Sequence, residues 1–111
     1  MWKVIRILAL IVLVATSLAI GACVMRIRHY DAALGEVKVG DSETTVIARL
    51  GDPSFREVAG VPHLRYTGAA CAAPCVERLW WEWPIAPGME AWSVEIGSNR
   101  EVLKTYHWVS P

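Results

Sequence analysis

From Ile7 to Met25 the chain runs through 19 residues without a charge, ILALIVLVATSLAIGACVM, with Lys3 and Arg6 before it and Arg26 and Arg28 after it. As a helix rising about 1.5 Å per residue, this run spans ~28 Å, close to the ~30 Å hydrocarbon core of a bilayer. Such a segment has no place in the core of a small soluble fold and reads as a signal or an anchor. It also inflates the 54% hydrophobic composition of the 111 residues. The organisation expected is a signal or transmembrane anchor over 1–25, a short tether over 26–36, and one domain over 37–111.

Three readings of the first segment stay open. Ile20, Gly21 and Ala22 precede Cys23 much as a lipobox would, with small residues where a peptidase closes on the backbone, and make Cys23 a candidate for lipidation. An uncleaved helix is the preferred alternative. The apolar run exceeds the ~7–15 residues of a signal h-region and continues through Cys23 into Val24 and Met25, and no polar linker follows. Trp2 then serves as an interfacial aromatic, and Arg26 and Arg28 as far-side anchors. Plain secretion is the third. Each predicts a domain outside the cytoplasm: in the periplasm on an inner-membrane helix, or at the outer membrane as a lipoprotein.

Residues 26–111 carry nine Lys or Arg and eleven Asp or Glu, dispersed along the chain, for a net charge of −2. That balance offers no footprint for nucleic acid. Cys71 and Cys75 flank AAP in the turn-rich GAACAAPC. In an oxidising compartment they can close a small disulfide ring, worth roughly 2 kcal/mol on the loop-entropy model. A metal site would need two more ligands, but His29, His63 and His107 are scattered; free thiols and a redox pair remain as alternatives.

VGDSETTVIARLGDP, residues 39–53, carries the clearest helix signal. Ser42 or Asp41 can cap the first turn, Glu43 suits the positive end of the dipole, and Val46, Ile47 and Leu50 share a face. Gly51 can terminate the helix, and Asp52-Pro53 blocks its continuation. Before it, Tyr30, Ala33, Leu34 and Val37 recur at helical spacing, so a short helix or a turn-rich tether leads into Gly40. After it come two short runs, Phe55–Ala59 and Pro62–Thr67, the second with Leu64 and Tyr66 on one face. Three alternating segments follow. Leu79, Trp81 and Trp83 oppose Trp80 and Glu82. Trp92, Val94 and Ile96 oppose Ser93 and Glu95. After a turn at Ser98-Asn99, Val102, Tyr106 and Trp108 oppose Leu103, Thr105 and His107. Short connections make an antiparallel meander the simplest sheet, and helices on one face give a two-layer α+β domain.

VKVGDSETTVIARLGDPSFRE resembles the SmpA/OmlA, or BamE-like, domain of the bacterial envelope, through Val39, Gly40, Ser42, Val46, Leu50, Gly51 and Pro53. WSVEIGSNREVLKTYHWVSP is similar to that family's closing hairpin. The resemblance covers roughly residues 37–111. It implies two short helices packed on an antiparallel sheet of three or four strands, and a role accessory to outer-membrane assembly. The CAAPC insert and the tryptophan-rich strands depart from that pattern.

Catalysis needs a nucleophile, a base and an orienting group that converge. Ser42, Ser54, Ser93, Ser98 and Ser110 lie outside any G-x-S-x-G elbow, and His63 sits in a turn-like GVPH. Asp41 and Asp52 fall at opposite ends of one helix, roughly 16 Å apart. No phosphate loop, cofactor motif or metal-ligand pattern stands out, and neither an enzyme nor a small-molecule substrate is expected. The surplus is aromatic. Trp80, Trp81, Trp83, Tyr106 and Trp108 are candidates for partner contact, against the alternative that they fill a core. The sequence therefore predicts a membrane-anchored binding or scaffold module with an envelope protein partner. An inhibitor or sensor of β-lactamase-inhibitor-like fold and a small hydrolase or redox enzyme using Cys71 and Cys75 are the alternatives.

Overall fold

Ser42 opens the short helix α2 (Glu43–Leu50) from an extended backbone, its Oγ accepting the Thr45 N–H at 3.2 Å. The helix stops at Gly51, where φ is +80° and the N–H donates to the Ile47 carbonyl at 2.8 Å. Val46 and Leu50 are buried, whereas Ile47 lies half-buried at the edge, so the docking stripe is narrower than its sequence suggests. Eight residues make no stable helix in water, and α2 depends on what it packs against. Here and below the molecule is a computed structural model that describes residues 1–63, 66, 69–83 and 90–109.

The first helix, α1 (Trp2–Glu36), runs unbroken through the apolar segment and on through residues 26–36. No proline interrupts that second part and its one glycine, Gly35, falls at the end, so nothing stops the helix where a tether was expected. The last turns of α1 thus stand where the first of two short helices was expected. At 35 residues the helix is about 52 Å long, and it is long and apolar enough to cross a membrane. From Trp2 to Ala22 it is exposed. From there a half-buried or buried stripe begins: Cys23, Val24, Ile27, Tyr30, Ala33, Leu34 and Val37. Steps of three and four residues put that stripe on one side, facing the domain.

Four antiparallel strands follow in simple order: β1 (Phe55–Val58), β2 (Cys75–Trp83), β3 (Glu90–Gly97) and β4 (Val102–Val109). Partnered residues share a face, so the register gives cross-strand rows. Leu79 lies beside Val94, then Thr105. Trp81 lies beside Trp92, then His107. These rows face the helices, and Leu79, Trp81, Trp92, Val94, Ile96 and Val102 join Val46, Leu50, Leu34 and Val37 in one core. The molecule is therefore α+β in two layers.

One expected assignment changes. Plain alternation groups Val102 with Tyr106 and Trp108, but Val102 pairs with Ile96 while Lys104 pairs with Glu95. This register shift is a β-bulge, and it turns Val102 onto the helix face while Tyr106 and Trp108 stay on the other. The run Pro62–Thr67 carries no strand among its described residues; Leu64, Arg65 and Thr67 lie outside them, as does Ser110.

The hairpin also holds the start of α2. Gly40, at φ +95°, donates to the Val102 carbonyl at 2.9 Å, and the Val102 N–H returns a bond to Asp41 at 2.8 Å. Glu43 N–H donates to the carbonyl of Arg100, which occupies the left-handed position of the β3–β4 turn at φ 61°.

Candidate functional site

The outer face of the sheet, away from the helices, divides into a sealed half and an open half. On the β1–β2 side Glu57 pairs in register with Arg78, and both are buried. The Glu57 carboxylate accepts from Arg78 Nη1 at 3.2 Å, from Trp80 Nε1 at 2.8 Å and from the Cys71 backbone N–H at 3.2 Å. A buried carboxylate needs such partners, and here β2 and the connection before it supply them. Arg78 also lies 5.6 Å over the Trp80 ring. Cys71 and Cys75 are joined as a disulfide with Cα atoms 5.7 Å apart, inside the range the bond requires. Both are buried, and the Cys71 N–H bond to Glu57 ties this end of the β1–β2 connection to the face.

Toward β4 the covering ends. A run of rings crosses the face: Phe55 on His63 at 4.4 Å, His63 against Trp80 at 5.1 Å, Trp80 against Trp108 at 5.5 Å and Trp108 against Tyr106 at 4.4 Å. Trp80 is wholly buried at its middle, while Phe55 and Tyr106 are 43% and 48% exposed at its ends. Trp108 Nε1 donates to Ser93 Oγ at 2.8 Å, which fixes the indole against β3. Lys104 extends over the Tyr106 ring, 5.9 Å from its centre. The open half is thus an aromatic ledge with a cation at its rim, a composition suited to protein contact. Tyr66 stacks on Trp80 at 5.4 Å, and His63 hydrogen-bonds Glu82, so the middle of the run is fixed from above.

The helix face carries two polar clusters. In one, His107 stacks on Trp92 and lies between two carboxylates: Nδ1 is 3.5 Å from Asp31 and Nε2 is 3.4 Å from Glu90. Trp92 Nε1 donates to Asp31 at 2.7 Å, tying α1 to β3. With both ring nitrogens facing carboxylates, this histidine clasps the helix to the sheet. In the other cluster, Arg56 of β1 and Arg100 of the hairpin turn each bridge Glu43 of α2 and Glu77 of β2, at 2.7–2.9 Å. Hydrogen bonds from Arg100 and then Arg56 hold the Glu43 carboxyl below its ordinary range. The same bonds, Glu43 first, push Arg100 further up.

Of the five aromatics read as contact candidates, Trp80, Tyr106 and Trp108 lie together on the outer face, and Trp81 and Trp83 lie on the opposite one. Trp80 and Trp81 have no surface to offer a partner. Trp81 instead donates its indole N–H to the Gly51 carbonyl at 3.0 Å, so the residue that ends α2 also receives the core tryptophan. Trp83 is half-buried, with the Arg26 guanidinium 6.0 Å over its ring. Cys23 is a half-buried free thiol on the domain-facing stripe of α1.

Ser54 bonds to the β2 backbone through its hydroxyl, accepting the Glu82 N–H and donating to the Trp80 carbonyl. Gly40, Ser42, Leu50, Gly51 and Pro53 all serve the start, packing or end of α2. Sequence reading missed the Glu57–Arg78 pair, the His107 clasp and the Arg26–Trp83 stack. Each joins residues distant in the chain, and only register or helix docking brings them together. The alternation of β4 did place His107 opposite Tyr106. Comparison with protein-family models, with curated proteins and with solved structures finds no match.

Proposed function

We propose that the chain is a membrane-anchored, extracytoplasmic binding or scaffold module of the bacterial cell envelope, accessory to outer-membrane assembly or integrity. The observation that carries this reading is the aromatic ledge of Trp108 and Tyr106 with Lys104, presented on a sheet whose other face is already covered. Large rings held in place and partly exposed lose little entropy on docking, which makes them effective contact residues. The apolar helix supports membrane attachment, and the Cys71–Cys75 disulfide fits an oxidising compartment. The likeness of VGDSETTVIARLGDP to the BamE-like pattern supports the envelope assignment.

A photo-crosslinking side chain at Tyr106, in cells that carry the full chain, tests this. A discrete envelope protein should be captured from position 106, should be lost when Lys104 or Trp108 is replaced by Ala, and should not be captured from Thr44 on exposed α2. Equal labelling from both positions, or none at 106, would end the ledge as a docking site. Capture of a hydrolase would instead point to an inhibitor module.

A further inference from the structure

We infer that one end of the sheet, the row Trp83–Glu90–Val109, rests in the phospholipid headgroup layer of the bilayer that holds α1. The inference rests on reading the apolar run as the anchor, and it adds a second lipid contact made by the folded domain itself.

The argument begins with the unbroken helix. Since α1 continues from the apolar run to Glu36 without a linker, the distance from bilayer to domain is fixed by helical rise. The hydrocarbon ends near Met25, and the headgroup layer beyond it is roughly 5–7 Å thick on each side. Four residues of helix cover about 6 Å, so Arg26 to Tyr30 lie within that layer. Tyr30 already packs on Trp92 of the core, with ring centres 4.8 Å apart. The domain therefore starts at headgroup level.

Which part of the domain lies lowest follows from the Arg26 side chain. Arg26 is the first charged residue after the run, and it lies over Trp83. Trp83 pairs with Glu90, and Glu90 with Val109, so one cross-strand row lies at that end of the sheet, on the face that meets α1. Val109 is 63% exposed there. Cys23 and Val24, within the apolar run, are half-buried where the helix before them is exposed. A tryptophan, an exposed valine and the arginines Arg26 and Arg28 suit the boundary between acyl chains and phosphates.

The test places an environment-sensitive fluorophore at single cysteines, with Cys23→Ala as background and the disulfide intact. The full chain is set in phosphatidylcholine nanodiscs that contain a headgroup spin-labelled lipid. The Val109→Cys label should emit to the blue of the Ser98→Cys label, at the opposite end of the β3–β4 hairpin, and should be quenched by the headgroup spin label. The Ser98 label should instead respond to an aqueous quencher. A label at Val14→Cys should be quenched by a spin label within the acyl chains. Quenching at 14 with position 109 as accessible to water as 98 overturns this inference alone. Loss of quenching at 14 overturns the anchor reading and the inference with it.

Discussion

The helix-covered face and the outer face of the sheet each bury a tryptophan, but they keep water out by different means. Trp81 and Trp92 lie in a continuous apolar core under α1 and α2, with each indole N–H satisfied by one acceptor, Gly51 and Asp31. Trp80 is closed in by the rings of His63, Tyr66 and Trp108 and by a buried ion pair to which its own N–H donates. The first arrangement gains from area and tolerates small losses; the second depends on every partner being present.

The largest effect should come from the outer face. Glu57→Ala leaves the Arg78 charge and the Trp80 N–H buried without their acceptor, and should cost about 3–5 kcal/mol in denaturant unfolding. A loss near that of an exposed pair, below about 1 kcal/mol, would mean that water reaches the site and that the two faces differ less than described. Changing both Cys71 and Cys75 to Ser should cost roughly 2 kcal/mol. It should speed hydrogen exchange around Glu57 and Arg78 before it affects Val94.

On the helix face, Gly51→Val forces a branched side chain into a positive φ, where the added Cβ itself meets open space. Strain alone should therefore cost roughly 1–2 kcal/mol, with capture from Tyr106 unchanged in the protein that remains folded. A folded variant with normal stability and no capture would refute the purely structural reading of this motif.

The smallest effect belongs to the half-exposed ion network. Because the folded Glu43 carboxyl is held below its usual range, its contribution is complete above the ordinary carboxylate value and fades as pH falls through the lowered one. Glu43→Gln should be less stable than the parent by up to about 1 kcal/mol at neutral pH. The gap should narrow on acidification below about pH 4.5, the ordinary value of this group, in melts followed by circular dichroism.

What the sequence made legible follows the same division. Local chemistry could be read directly: the Ser42 cap, the Gly51 stop and the alternation of β2 and β3 each depend on neighbours in the chain. The burial of Trp80 could not, because the chain carries no local mark that the β1–β2 connection folds over it. Nor could the bulge beside Ile96, since a one-residue change in pairing leaves no trace in the alternation until the partner strand is known. The helical spacing of Tyr30, Ala33, Leu34 and Val37 was visible, but neither its continuity with the apolar helix nor the docking that makes it part of the domain was. For the site, Tyr106 and Trp108 could be named as aromatic surplus, while their separation from Trp81 and Trp83 required the register.

The backbone bonds that join Gly40, Asp41 and Glu43 to Arg100 and Val102 also set an order of events during synthesis. About sixty residues separate the partners, a long loop to close before any of these bonds can form. Until Val102 has left the ribosome, α2 lacks the strand that holds its start and the edge of the core that Val102 supplies. A nascent chain stalled before residue 100 should therefore carry residues 43–50 protease-sensitive, and a chain in which Val102 is free to pair should protect them in a single step.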